Sequence, residues 1–230
     1  MSEDTPPVGP VVDATPAQFP GAVTLGGRFG TVERLDASRH APALWTAMRG
    51  QDAIWSYLPP GPFADPTTFN TYIAASEQNQ ERIFYTVLDN DRRAVGFFSL
   101  MEIRPAMRVI EVGNVVYAPA LQRTPLSTEA QYLLARYAFE TLGYRRYEWK
   151  CNALNAASRR AAARLGFTFE GIFRQHMIVK GRSRDTAWFA MLDGEWPARK
   201  AAFERWLAPE NFDKDGRQKQ SLAVLKEAKA

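Results

Sequence analysis

The chain has one cysteine in 230 residues, Cys151, so no disulfide can form within it. That suits a reducing compartment, and a cytoplasmic protein is expected. Cys151 stands in the alternating stretch YEWKC, where a small buried hydrophobe is expected rather than a nucleophile. Histidine is almost as scarce. His40 and His176 have no Cys, Asp or Glu around them at metal-ligand spacing, so no metal is expected. No apolar run reaches the roughly 18 residues that a membrane-spanning helix needs, and no membrane association is expected. The N-terminus lacks a basic region followed by an apolar stretch, so no secretory signal is expected either. P-loop, G-x-G-x-x-G and G-x-S-x-G motifs are absent, as is any zinc-finger spacing.

What is present is enough apolar material, 46% of residues, for the core of one large domain. The net charge is +4, and the excess is local. Between Asn155 and Asp185 stand Arg159, Arg160, Arg164, Arg174, Lys180, Arg182 and Arg184, against Glu170 and Asp185. Such a cluster suits an anionic partner (a phosphorylated cofactor, a nucleic acid or an acidic protein), or it is simply a solvated face and turn. No helix-turn-helix or RNA motif accompanies it and its aromatics are not interleaved as stacking platforms, so nucleic acid is not the expected partner.

The spacing of apolar residues divides the chain into a proline-rich, loosely attached arm over residues 1–22, a single domain over 23–207 and a charged tail over 208–230. Strands are expected at Thr31–Leu35, Ile83–Leu88, Val95–Ile103, Val109–Tyr117 and Arg146–Cys151. Two more are expected at Phe167–Val179 and Thr186–Leu192, around the turn KGRSRD. Helices are expected at Ala41–Met48, from Asp65–Pro66 to about Gln80, at Asn155–Leu165 and at Pro197–Leu207. The most informative stretch is Gln122–Gly143. A polar loop opens into an amphipathic helix with Thr124 as N-cap, Pro125 at the first position and Gly143 as the stop. A helix start with free N–H groups attracts phosphate. The fold class expected is α/β (α+β): an antiparallel N-terminal half, then a β–α–β–α–β half. The change to parallel pairing opens a crevice at the strand ending at Tyr117.

Three blocks in order, EVGNVVYAPALQRTPLSTEA (Glu111–Ala130), NAASRRAAARLGF (Asn155–Phe167) and FEGIFRQHMIVKGRSRDTAWFAML (Phe169–Leu192), resemble the GNAT superfamily of acyl-CoA-dependent N-acetyltransferases. The nearest branch includes the ribosomal-protein N-terminal acetyltransferases. The likeness spans roughly Gly27–Pro197. It implies a mixed sheet with a splayed central strand pair and flanking helices. It also implies acetyl-CoA as co-substrate, with Val115 and Tyr117 as backbone partners of the pantetheine arm. The pyrophosphate loop, usually R/Q-x-x-G-x-G/A, reads Gln122, Arg123, Thr124, Pro125, Leu126, Ser127. Pro125 replaces the usual glycine and removes one N–H. The N–H groups of Leu126, Ser127 and Thr128, the hydroxyls of Thr124, Ser127 and Thr128, and Arg123 are expected to compensate. Asn155 matches the family residue that touches the pantetheine arm, or is only the N-cap. Arg159 and Arg160 are candidates for the CoA phosphates.

For chemistry, Glu111 is the candidate general base and Ser158 the candidate hydroxyl for the CoA sulfur, each with a purely structural alternative. The tyrosine that many members carry in the second helix is Ala162 here. Trp55, Tyr57, Leu58, Phe63 and Trp188 are expected to wall the acceptor site, or to pack the core. The acceptor expected is a primary amine, either a protein N-terminus or a small molecule, attacking directly in a ternary complex. The alternative is a non-catalytic CoA- or ligand-binding protein of the same fold. A homodimer through exposed aromatics near Trp55 or on the last helix is also allowed for.

Overall fold

The computed structural model describes residue 6 and residues 8–227. Its strands are β1 (Thr24–Gly26), β2 (Gly30–Arg34), β3 (Ile83–Asp89), β4 (Ala94–Arg104), β5 (Val109–Tyr117), β6 (Arg146–Asn152), β7 (Thr168–Val179) and β8 (Arg182–Leu192). They form one sheet in the order β1-β2-β3-β4-β5-β6-β8-β7, antiparallel at every step except β5–β6. The helices are α1 (Ala37–Met48), α2 (Pro66–Glu77), α3 (Pro125–Arg136), α4 (Ala156–Leu165), α5 (Trp196–Leu207) and α6 (Leu222–Glu227).

Alternation along the strands builds two cores. Val112 of β5, Trp149 and Cys151 of β6 and Phe189 of β8 lie beneath α3 to α6. On the opposite face, Phe84, Phe97 and Val116 pack under α1 and α2 with Leu44, Phe69 and Trp55. The two-residue turn Lys180–Gly181 joins β7 to β8, both residues having positive φ (49° and 71°). The hairpin is therefore longer than the expected KGRSRD turn allows. A left-handed pair matches strand twist, so pairing resumes at once at Arg182. The helix expected from Thr124 to Leu142 leaves α geometry at Tyr137 for a π-helical turn before Gly143 ends it.

The ends of the chain are more tightly held than composition suggests. Residues 1–5, 7 and 228–230 of the expected arm and tail lie outside the described residues. From Asp13 the arm is tied down: Ala17 N donates to Pro105 O (3.1 Å), Gln18 N to Leu142 O (2.8 Å) and Tyr85 Oη to Gly21 O (2.9 Å). In the tail, Leu222 and Leu225 are buried, and Trp206 Nε1 donates to Gln218 Oε1 at 2.7 Å. Of the aromatics expected for a dimer face, Trp55 and the Phe203 and Trp206 of α5 are likewise buried, whereas Tyr57 is exposed.

Glu129, buried in α3, holds the β1–β2 turn by accepting from Arg28 N (2.6 Å) and Phe29 N (2.7 Å). Gly27 packs against the same carboxylate and has no room for a side chain. Glu129→Ala leaves both N–H groups without a partner and is expected to cost about 2–4 kcal/mol, read as a lower midpoint in urea unfolding.

Candidate active site

β5 and β6 are paired only from Val109↔Arg146 to Val112↔Trp149. Beyond that point the two strands part. The break coincides with a bulge: Asn114 has φ 49°, and the β4–β5 register slips between Ser99↔Gly113 and Phe97↔Val116. Ser99 pins the bulge, accepting from Asn114 Nδ2 (2.9 Å) and donating to Gly113 O (3.3 Å). Gly113–Tyr117 therefore present a strand edge with no strand partner on the β6 side. Val115 lies on that edge, but the Tyr117 carbonyl already accepts from Gln122 Nε2 at 2.9 Å. The Tyr117 hydroxyl accepts from Gln131 Nε2.

At the mouth of this opening stands the start of α3. Thr124 caps it, accepting from Ser127 N at 3.3 Å. Of the hydroxyls expected to offset Pro125, Thr124 donates to Leu121 O, Ser127 donates to Thr124 O, and Thr128 is buried and accepts from Arg164 Nη1 at 2.9 Å. All three are taken up within the protein. The groups left for an anion are the N–H of Arg123, which has left-handed φ (61°), the N–H of Leu126 and the exposed Arg123 side chain. Main-chain donors, rather than hydroxyls, fit a diphosphate here.

On the far wall, Asn155 caps α4 by accepting from Ser158 N (3.0 Å), and Trp149 Nε1 donates to Ser158 Oγ (3.0 Å). The Ser158 hydroxyl also lies within hydrogen-bond reach of the buried Cys151 thiol. Arg159 Nη1 reaches only Ala153 O (3.4 Å), and its guanidinium lies over Phe169.

The face opposite α3 carries the charges. Glu111, Glu148 and Lys150 alternate with the core residues of β5 and β6. Lys150 Nζ lies 2.9 Å from Glu111 Oε2, 3.0 Å from Glu148 Oε2 and 4.0 Å from the centroid of Trp188. Arg146 and Arg104 also reach Glu148, at 2.7 and 3.1 Å. The two carboxylates share one lysine yet titrate apart. Burial pushes Glu111 up to about 7, against the pull of Lys150. Burial works on Glu148 too, but hydrogen bonds from Arg146 and Lys150 outweigh it and hold its carboxyl below the usual range. A pair separated in this way is the pattern of a base and its fixed counter-charge.

Beside this pair, Phe173 and His176 contact the Trp188 ring (4.5 and 5.9 Å) and help line an open cleft of ≈ 620 Å³ with Arg174 and Gln175. A roof of two bonds ties the α1–α2 link to the β6–α4 and β7–β8 turns: Tyr57 Oη donates to Leu154 O (3.3 Å) and Lys180 Nζ to Trp55 O (3.0 Å). Of the expected acceptor walls, Tyr57 belongs to the roof and Trp188 packs against the cleft-lining Phe173 and His176. Trp55 and Phe63 meet edge-to-face in the α1–α2 core at 5.1 Å, with Leu58 packed beside them. His40 is structural, bonded to Glu33 (3.0 Å) and Thr86 (3.0 Å). Sequence reading missed Lys150, Glu148 and Trp149. The signal was in YEWKC: charges at every second position of an otherwise core strand call for a polar site on that face.

A mixed sheet parted between two parallel strands, an anion-ready helix start at the mouth and a carboxylate held near neutrality inside together describe an acyl-CoA-dependent transferase. Residues 31–168 match the family described as Acetyltransferase (GNAT) domain, and the chain belongs to that family. A structure of a GCN5-related N-acetyltransferase from Brucella melitensis is 44% identical, covering 93% of this chain and 98% of that one, with a TM-score of 0.91. A structure assigned to the GNAT acetyltransferase family from Chromobacterium violaceum is 43% identical over 85% of this chain and all of that one (100%), with a TM-score of 0.77. Bacillus subtilis YdaF, described as a candidate ribosomal N-acetyltransferase, is 30% identical over 110 residues, 48% of this chain and 60% of its own length. Through YdaF, the ribosomal branch expected from sequence is represented among the relatives.

Because the fold favours protonated Glu111, this group stabilises the protein fully below its ordinary value of 4.5, and that contribution is lost as pH rises to about 7. Glu111→Gln removes the titration. Between pH 4.5 and 7 its unfolding free energy is expected to fall less steeply than that of the wild type, measured by urea unfolding at several pH values.

Proposed function

We propose that the protein transfers an acetyl group from acetyl-CoA to a primary amine by direct attack within a ternary complex. The observation that carries this is Glu111: a buried carboxylate, brought near neutral pH, on the strand whose edge is left open beside the split. Acetyl-CoA supplies the activated thioester. Val115 on the open edge of β5, with the N–H groups of Arg123 and Leu126, would hold it. Glu111 takes the proton from the attacking ammonium, directly or through water, while Lys150 limits how far the carboxyl rises. The Ser158 hydroxyl, oriented by Trp149, donates toward the leaving sulfur. Tyr57 and Trp188 border the acceptor, a protein N-terminus or a small amine. The similarity to YdaF favours the protein N-terminus.

Pro125 and the buried Ala162 favour a second reading, a CoA-binding protein without transfer activity. Calorimetric titration with acetyl-CoA and an amine screen separate the two: the first reading expects micromolar binding and turnover, the second binding alone. Given turnover, Glu111→Gln is expected to lower kcat/KM by about 10²- to 10⁴-fold and to abolish an acidic limb centred near pH 7. Ser158→Ala is expected to lower kcat about 10- to 100-fold without weakening acetyl-CoA binding. Unchanged kinetics in Ser158→Ala would remove Ser158 from the mechanism.

A further inference from the structure

Of the cations around the cleft, two lack a counterpart among the described residues: Arg174, which is exposed to water, and Arg184, which is not. Lys150 is shared by Glu111 and Glu148, Lys180 is bonded to Trp55 O and Arg159 to Ala153 O. Arg184 of β8 is half-buried, and among the described residues its guanidinium makes no hydrogen bond or ion pair; its Nε is sealed from water and unpartnered. Its sequence neighbour Asp185 is on the opposite side of the strand and accepts from Gln175 N at 2.7 Å. The nearby Glu111 is committed to Lys150. Two and four residues on, on the same side of β8, stand Thr186 and Trp188. The Thr186 hydroxyl is taken by His176 Nδ1 at 3.0 Å, whereas Trp188 Nε1 is a second buried donor with no partner.

Proteins rarely leave a desolvated guanidinium without an anion, because burial removes water and nothing replaces it. Here burial also draws the Arg184 pKa down, as it does for a charge left without compensation. The two Nη groups, unlike the sealed Nε, form an end-on fork that matches the two oxygens of a carboxylate. The phosphates of the carrier have their own donors at the start of α3, while Arg184 shares its strand face with Trp188, on the side that bears Glu111. The ligand group that belongs beside it is therefore on the acceptor.

We infer that the acceptor amine carries a carboxylate, which Arg184 binds while Glu111 receives the ammonium. This inference rests on the acetyl-transfer reading and narrows its substrate class. Two sources offer the chemistry: the free carboxylate of an amino acid, and an acidic side chain near the N-terminus of a polypeptide. The length between amine and carboxylate tells them apart.

The test uses the full chain with acetyl-CoA and four acceptor types: free α-amino acids, ω-amino acids of increasing length, short peptides with Asp or Glu in the first two positions, and the matching Asn or Gln peptides and carboxyl amides. In the wild type, one carboxylate-bearing class is expected to exceed its neutral counterpart in kcat/KM by about tenfold or more. Arg184→Met is expected to collapse that ratio through KM, with kcat little changed, and Arg184→Lys to keep part of it. Equal use of acidic and neutral acceptors by the wild type would overturn the inference, and needs no variant to fold. So would an equal loss on both classes in an Arg184→Met protein that still binds acetyl-CoA. Acetyl-CoA binding with no acetylation of any amine would instead sink the transferase reading, and this inference with it.

Discussion

Everything else in the molecule depends on two strands that stop pairing. β5 and β6 share four register positions and then part, and the bulge at Asn114 ensures that they do. A parallel pair inside a sheet is ordinarily buried on both faces and continuous. Breaking it exposes backbone that water or a ligand must satisfy, a cost met only because β4 and β8 hold the outer edges of the pair. The opening is thus a property of the sheet and not of a loop, which fixes its width and direction before any ligand arrives.

Around the opening, the protein places main chain where phosphate is expected and side chains where chemistry is expected. The α3 start offers N–H groups from a loop whose hydroxyls are turned inward, so replacing glycine with Pro125 alters the number of donors more than their kind. The acidic face works by contrast. Glu111 is raised chiefly by burial, with Glu148 adding to the effect, whereas at Glu148 hydrogen bonds from Arg146 and Lys150 outweigh burial. Geometry that would otherwise give two equivalent acids gives two roles.

Much of this was legible in the chain. The order of β2 to β8 and of α1 to α5, the capping of α3 by Thr124 and of α4 by Asn155, and the crevice beside Tyr117 follow from periodicity and cap chemistry, since both act within a few residues, whereas β1 and α6 do not. Glu111 and Ser158 could be named from resemblance alone. What was not legible depended on contacts between distant segments. The Glu111–Lys150 pair joins residues 39 apart, and Trp149 reaches Ser158 across a turn. Trp55 reads as a site aromatic until α1 and α2 close over it. The charged tail reads as loose because two leucines, Leu222 and Leu225, are a weak pattern by themselves and become decisive only against α4 and α5.

The roof has a consequence for time rather than shape. Its two bonds, Tyr57 to Leu154 and Lys180 to Trp55, each run from a side-chain tip to a backbone carbonyl. Bonds of that kind contribute about 1 kcal/mol apiece, so losing both costs about 2 kcal/mol. That corresponds to an open population of a few per cent at any instant, reached by side-chain and loop motion without unfolding any strand. Parting of these segments is therefore a fluctuation the resting molecule already makes, while the sheet beneath keeps its register.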